Sequence, residues 1–210
     1  GADLSPKLNK DLIPLNKVIA VKKDDIISFG TPKFGSRCYL AVKGGFQTEF
    51  IMNSYAYYGS ITNSNTIRKG EKLPIQSVNI ASDHFTSIKI NSEFFTSQDL
   101  ECTTGPEYDL LGARDRELIF KTNFTVTKDN NRMGYRLESP PIPYPQAYNM
   151  LTSSVLPGTV QLTPSGKLIV LMKDCQTTGG YPRVLQLTGS GINKLAQKKA
   201  NDIISFQLLT

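Results

Sequence analysis

The chain has 210 residues, with 24 Lys+Arg against 18 Asp+Glu for a net charge of +6, one histidine and three cysteines. A single imidazole cannot build the multi-histidine sites of zinc hydrolases, and Cys38, Cys102 and Cys175 lie too far apart for a C-x-x-C cluster, so no metal site is expected. An odd number of scattered cysteines argues against a disulfide-stapled secreted scaffold and for a reducing compartment, with the cytoplasm as the expected location.

The longest uninterrupted apolar stretch, Leu168 to Met172, falls far short of the roughly 18 residues that cross a bilayer, and no membrane role is expected. Residues 1–105 and 106–210 carry similar small positive balances, and the largest basic runs are the pairs Lys22-Lys23, Arg68-Lys69 and Lys198-Lys199. A nucleic-acid partner asks for a basic stripe with interleaved aromatics, so none is expected; the charge reads as a solvated surface with room for one anionic ligand site.

In chain order, most segments read as strands of about five to seven residues separated by turns of Gly, Pro, Asn and Asp, which makes the protein mainly β. Lys22-Lys23-Asp24-Asp25-Ile26-Ile27-Ser28-Phe29 recurs as Lys198-Lys199-Ala200-Asn201-Asp202-Ile203-Ile204-Ser205-Phe206, sharing D-I-I-S-F. A weaker copy is Arg68-Lys69-Gly70-Glu71-Lys72-Leu73-Pro74-Ile75. The recurrence is either an internal duplication into two related barrels or repeated turn-to-strand chemistry. Arg37 to Val42 and Gly166 to Met172 are apolar, β-branched and bounded by glycine turns, as buried strands are. A polar stretch between Ala81 and Thr96 is the best boundary, dividing the chain into 1–90 and 91–210. Helices are expected at Ala113 to Lys121 and Ile192 to Lys199, the second with lysines in its final turn.

The segment Asn131 to Glu138, read as a strand, places Arg132, Gly134, Arg136 and Glu138 on one face and Met133, Tyr135 and Leu137 on the other. A glycine between two arginines lets a ligand approach the sheet, and guanidinium forks suit carboxylate, phosphate or carbamoyl oxygens. By itself the pattern fits better an Arg136 that pairs with Glu138, or with a neighbouring strand, and solubilises an exposed face. Asp174-Cys175-Gln176-Thr177-Thr178-Gly179-Gly180-Tyr181-Pro182-Arg183 adds hydroxyls, an amide and two glycines, the composition of a small anion-binding nest. No phosphate loop or G-x-G-x-x-G is present, so autonomous ATP or dinucleotide binding has no support. Cys175 and His84 make a weak nucleophile–base pair without an orienting group. Glu107 and Asp109 in Gly105-Pro106-Glu107-Tyr108-Asp109 could polarise a substrate, but read better as turn or cap residues of the helix that starts near Ala113.

Taken together, TGPEYD, NRMGYRLE, SVLPGTVQL, IVLMKDCQTTGGYPR and DIISF resemble the biotin-dependent carboxyltransferase family, also called allophanate hydrolase subunit 2 or KipA. Gly1 to Leu4 and Arg37 to Gly45 look like internal stretches of that family, so a substantial N-terminal portion is expected to be absent here. The resemblance implies tandem cyclophilin-like β-barrels with few short helices: residues 1–90 part of an incomplete first barrel, 91–210 the second. It implies a subunit of an ATP-dependent amide or lactam hydrolase, with 5-oxoprolinase, which opens 5-oxoproline to glutamate, as the first expectation. An allophanate hydrolase or urea carboxylase type of carboxyltransferase subunit, or a non-catalytic regulator of the KipI–KipA type, are the alternatives.

By the same resemblance Arg132, Arg136 and Gln176 would be catalytic, and Tyr135, Gln161, Thr177, Thr178, Gly179, Gly180 and Tyr181 would bind substrate. No cofactor is expected on this chain alone; ATP would be used by the complex, and biotin only in the carboxyltransferase alternative. The implied partners are a homologous subunit of the allophanate hydrolase subunit 1 or KipI type and a third 5-oxoprolinase subunit. One departure stands out: where relatives carry a G-S-R-S-T-like element, this chain has Asn53-Ser54-Tyr55-Ala56-Tyr57, exchanging an arginine for a tyrosine of different charge and reach.

Overall fold

A computed structural model describes residues 1–77, 88, 91–145 and 151–209. The first of these stretches has little regular structure. Strands β1 (Lys7–Leu8), β2 (Asp11–Leu12) and β3 (Ile27–Ser28) form a small antiparallel sheet in the order β2-β1-β3. Arg37 to Val42, expected as a buried strand, is not one: it forms no strand, and Tyr39 and Leu40 are 72% and 53% exposed. The physical reason is that an apolar run becomes a strand only where it has something to bury against. Among the described residues 1–77, the core takes only Ala2.

From residue 91 the chain runs through a short helix, α1 (Glu93–Thr96), into β4 (Asp99–Thr104), a 3-10 turn (Tyr108–Leu110) and α2 (Ala113–Lys121). Then come β5 (Phe124–Asn130), β6 (Gly134–Glu138), β7 (Ser153–Ser154), β8 (Thr159–Leu162), β9 (Leu168–Leu171), β10 (Thr178–Gly179), β11 (Arg183–Leu187), α3 (Gly189–Leu195) and β12 (Ile203–Leu208). Seven strands close into a barrel in the order β11-β4-β12-β5-β6-β9-β8, and β10 pairs with β7 outside the ring. All neighbours are antiparallel except β12 with β4.

Side-chain alternation fills the ring, as a small closed barrel requires. Leu100 and Cys102 of β4, Phe124 and Val126 of β5, Tyr135 and Leu137 of β6, and Ile204 and Phe206 of β12 all point into one continuous core. The mainly β reading and the buried strand in Gly166 to Met172 therefore hold, with β9 as that strand. The proposed boundary at Ala81 to Thr96 falls largely outside the described residues.

The helix expected at Ala113 to Lys121 is α2, with Asp115 in its first turn and Lys121 in its last, both favourable to the helix dipole. The second helix differs from expectation. It starts earlier, because Thr188 Oγ1 accepts the Gly191 N–H at 3.0 Å and caps it, and it ends at Leu195. Lys198 lies beyond its end and turns inward, 4% exposed, donating to the Phe95 and Ser97 carbonyls at 3.0 and 2.5 Å. Burial pushes its amine below the usual lysine value.

The recurrent segments share one turn. The N–H of Lys22, Lys199 and Arg68 donates to the carboxylate three residues on, at 2.7, 2.9 and 2.8 Å, and the acidic residue's own N–H returns to the basic residue's carbonyl. The residue before each acid is left-handed: Asp24 at φ 70, Asn201 at 71 and Gly70 at 85. Asp, Asn and Gly tolerate that conformation best, which is why the spacing repeats. After the first two turns the chain enters β3 and β12.

Phe124 is fully buried and meets the Phe206 ring at 5.2 Å between centroids. Phe124→Ala should lower stability by about 3–5 kcal/mol, read as a shifted denaturant midpoint with unchanged slope. Leu156→Ala, at a residue 65% exposed, should stay within about 0.5 kcal/mol. Equal losses for the two would contradict this account of the core.

Candidate functional site

Barrel register lines up the residues that the sequence had only suggested were neighbours. On the outer face, Arg136 of β6 lies opposite Ile169 of β9, Ile169 opposite Gln161 of β8, and Gln161 opposite Arg183 of β11. With neighbouring strands about 4.8 Å apart, this row spans about 14 Å. Its inward counterpart is Tyr135, Val170, Val160 and Leu185. Tyr135, expected near substrate, is therefore a core residue: it is 2% exposed, and its hydroxyl reaches the Lys198 carbonyl at 3.4 Å. Burial raises its pKa. Gly134 is explained by β9, since a Cβ there would come within 3.2 Å of the Val170 carbonyl oxygen.

The arginine strand and the glycine-rich loop meet at Arg132. Its Nε lies 2.6 Å from Asp174 Oδ2, and its carbonyl accepts the Asp174 N–H at 2.9 Å. From Asp174 the chain passes through Cys175, Gln176 and Thr177 into β10, where Thr178 pairs with Ser154 and Gly179 with Ser153. Gln176, Thr177, Thr178, Gly180 and Tyr181 are exposed, so their donors face outward. Gln161 is 2% exposed beneath the loop: its Nε2 donates to the Tyr181 carbonyl at 3.4 Å, and a Cβ on Gly179 would come within 2.6 Å of that nitrogen.

At the far end of the loop, Arg183 grips Glu107. Its Nε and Nη2 donate to the two carboxylate oxygens at 2.8 and 2.6 Å, and its backbone N–H adds a third bond at 2.9 Å. Nη1 donates to the Ser154 carbonyl at 2.7 Å. This pairing overturns the reading of Glu107 as a helix cap: Gly112 precedes α2 without a side-chain cap, and Asp109 pairs with Arg116 at 3.0 Å. Sequence reasoning also missed Asp174 as the partner of Arg132. The signal for both was two acids and two arginines in distant motifs, which spacing cannot pair.

Arg136 stands apart from the loop, in an outer groove of about 250 Å³ lined also by Thr127, Asp129, Thr163, Ser165 and Lys167. Glu138 does not pair with it, as the alternative reading expected; Glu138 takes Lys167 instead. Among the described residues Arg136 has no ion pair, which leaves its guanidinium open to an anionic group.

Burial raises the Cys175 thiol pKa, the opposite of what a nucleophile needs, and His84 lies outside the described residues. Among the described residues no group of three or more His, Cys, Asp or Glu could hold a metal, and no helix is long and apolar enough to cross a membrane. In the departing segment, Tyr55 and Tyr57 line a second, apolar pocket of about 360 Å³ with Phe46, Ile67 and Leu73. The Tyr57 hydroxyl donates to Glu71 at 2.6 Å, raising the phenol pKa and lowering that of the carboxylate.

The family model for the carboxyltransferase domain, subdomains A and B, matches residues 1–208. The chain belongs to this family. It is similar to the 5-oxoprolinase C subunit of Escherichia coli K12, 27% identical over 98% of this chain and 67% of the relative. It is 28% identical to that of Haemophilus influenzae over 90% of this chain and 62% of the relative. It thus spans about two thirds of the length of these curated relatives. Its fold is that of the Kluyveromyces lactis urea amidolyase over 100% of this chain and 14% of the larger protein, with a TM-score of 0.82 at 21% identity. The urea carboxylase of the same yeast gives the same TM-score and identity over 21% of its length.

Gly105 is where backbone meets backbone: a Cβ there would lie 2.1 Å from the Arg183 carbonyl oxygen, whereas one on Gly180 meets nothing within 4 Å. Gly105→Ala should destabilise the protein by about 1–3 kcal/mol or more, measured by denaturant unfolding. Gly180→Ala should stay within about 0.5 kcal/mol. A neutral Gly105→Ala would contradict the close approach of the two segments.

Proposed function

We propose that this chain is part of the C subunit of a 5-oxoprolinase, an ATP-dependent hydrolase that opens a cyclic amide and works with partner subunits. The observation that carries the reading is that both curated relatives, aligned over 98% and 90% of this chain, are 5-oxoprolinase C subunits. The exposed residues Gln176, Thr177 and Thr178 and the guanidinium of Arg136, without an ion pair among the described residues, support it chemically. A lactam offers a carbonyl oxygen and an N–H within a compact ring, and 5-oxoproline adds a carboxylate. The loop would donate to the lactam oxygen as charge builds on it, and Gln161 and Gly179 would keep the loop close to the sheet, while Arg136, in its separate groove on the same outer row, would hold an anionic group of the reaction. Arg132, held by Asp174, would orient the start of the loop. ATP would be bound by the complex, and a homologous subunit and a third subunit would be the partners.

A carboxyltransferase role of the urea amidolyase type is the second reading, favoured by the fold shared with the yeast enzymes. The exchange of an arginine for Tyr55 in the segment Asn53 to Tyr57 favours a regulatory subunit instead.

The deciding assay is ATP hydrolysis stimulated by 5-oxoproline, using the full polypeptide co-expressed with its partner subunits. The expected outcome is stimulation whose kcat/KM falls about 10- to 100-fold in Arg136→Ala, the scale for losing one charge-assisted hydrogen bond to an anionic group. Stable co-purification without stimulation would sink the 5-oxoprolinase reading, and undiminished turnover in the variant would remove Arg136 from the site.

A further inference from the structure

We propose that Glu107 and Arg183 are positioning residues for the donor loop Gln176 to Tyr181; their effect on turnover rests on the function proposed above. The loop's only regular structure is the β10–β7 pairing, two residues on each side, and a two-stranded ribbon of that size does not hold itself in water. Something must fix β7, and the Arg183 guanidinium does so by donating to the Ser154 carbonyl at 2.7 Å. Ser154 is the register partner of Thr178, so the arginine holds the loop through one intervening residue. Glu107 fixes the guanidinium in turn with two parallel bonds of 2.8 and 2.6 Å. The fork geometry leaves Nη1 aimed at Ser154, an arrangement that one lysine ammonium cannot reproduce.

The barrel does not depend on this relay. β11 is held in the ring by its own ladders, Leu185 to Thr104 and Val160, and Gln186 to Thr103 and Thr159. Loosening the pair should therefore free the loop and leave the ring closed.

Amide hydrogen exchange on the full polypeptide reads this without any substrate. In Glu107→Gln, exchange at Val155, whose N–H donates to the Thr177 carbonyl, and at Ser153 and Gly179 in the β7–β10 pairing should rise at least tenfold, while Val160 and Val170 in the barrel keep their rates. Arg183→Lys should give the same loop-specific rise, and Glu107→Asp, which restores the charge, should recover part of the protection. In the assembled enzyme, kcat/KM should fall at least tenfold in Glu107→Gln and recover in parallel in Glu107→Asp. Unchanged loop exchange in Glu107→Gln would overturn the proposal, as would loop and barrel accelerating together. Absence of 5-oxoproline turnover in the unmodified enzyme would overturn the substrate assignment alone, because the exchange pattern still decides the positioning role.

Discussion

The ladder between β8 and β11 closes the ring by pairing Arg183, Leu185 and Gln186 with Gln161, Val160 and Thr159, with a register shift after Arg183. Once the ring is closed, period two leaves each strand only two choices, inward to the core or outward to solvent and the loop. Leu185 and Val160 go in and Gln161 goes out, and it is the register shift that sets Arg183, two residues before Leu185, opposite Gln161 on the outer row, which continues through Ile169 to Arg136. Closure also drives the backbone at Gly105 against Arg183, leaving no room for a side chain. The carboxylate of Glu107, two residues on, thereby comes within reach of the guanidinium. The candidate site is thus a by-product of barrel closure: its residues come from segments some eighty positions apart that only the ring brings together.

The two ends of the donor loop are held unequally. Arg183 and Glu107 have side chains 19% and 12% exposed and share a bidentate pair, in surroundings where water screens little. Arg132 and Asp174 are 76% and 25% exposed, and an ion pair with so open a partner contributes little by itself. The main-chain bond from the Asp174 N–H to the Arg132 carbonyl, at 2.9 Å, does more at that end than the charges do. Between a firm exit and a softer entry, Gln176 and Thr177 lie closer to the soft end.

Much of the barrel was legible in the sequence because inward and outward residues alternate visibly in GYRLE and in the DIISF copy that becomes β12, and because α2 carries its charge pattern on its face. Arg37 to Val42 was misread because its composition is that of a buried strand, and composition does not reveal whether a partner surface exists. Tyr135 could have been assigned to the core by the same alternation that placed Arg136 outside. Glu107 and Asp174 could not have been found that way: each pairs across a loop whose path depends on the closed ring, and two charges in separate motifs carry no mark of who meets whom.

The recurrent turn explains how residues 1–77, which contribute only Ala2 to the core, stay attached to the barrel. At its C-terminal copy the turn from Lys199 to Asp202 stops the chain from continuing α3 and leaves Ala196, Gln197 and Lys198 spread across the end of the barrel. Gln197 then acts as a backbone mimic, its Oε1 accepting the Ser36 and Arg37 N–H groups at 3.0 and 2.9 Å and its Nε2 donating to the Arg37 carbonyl at 3.1 Å. Arg37 returns the contact through Nη1 to the Ala196 carbonyl at 2.6 Å, with its guanidinium 5.6 Å from the centre of the Tyr135 ring. Polar groups are satisfied here beside a small aromatic contact, the Phe34 and Phe95 rings with centroids 4.8 Å apart. Since Tyr135 precedes Arg136 on β6, the joint between the two halves and the open guanidinium sit on opposite faces of the same strand.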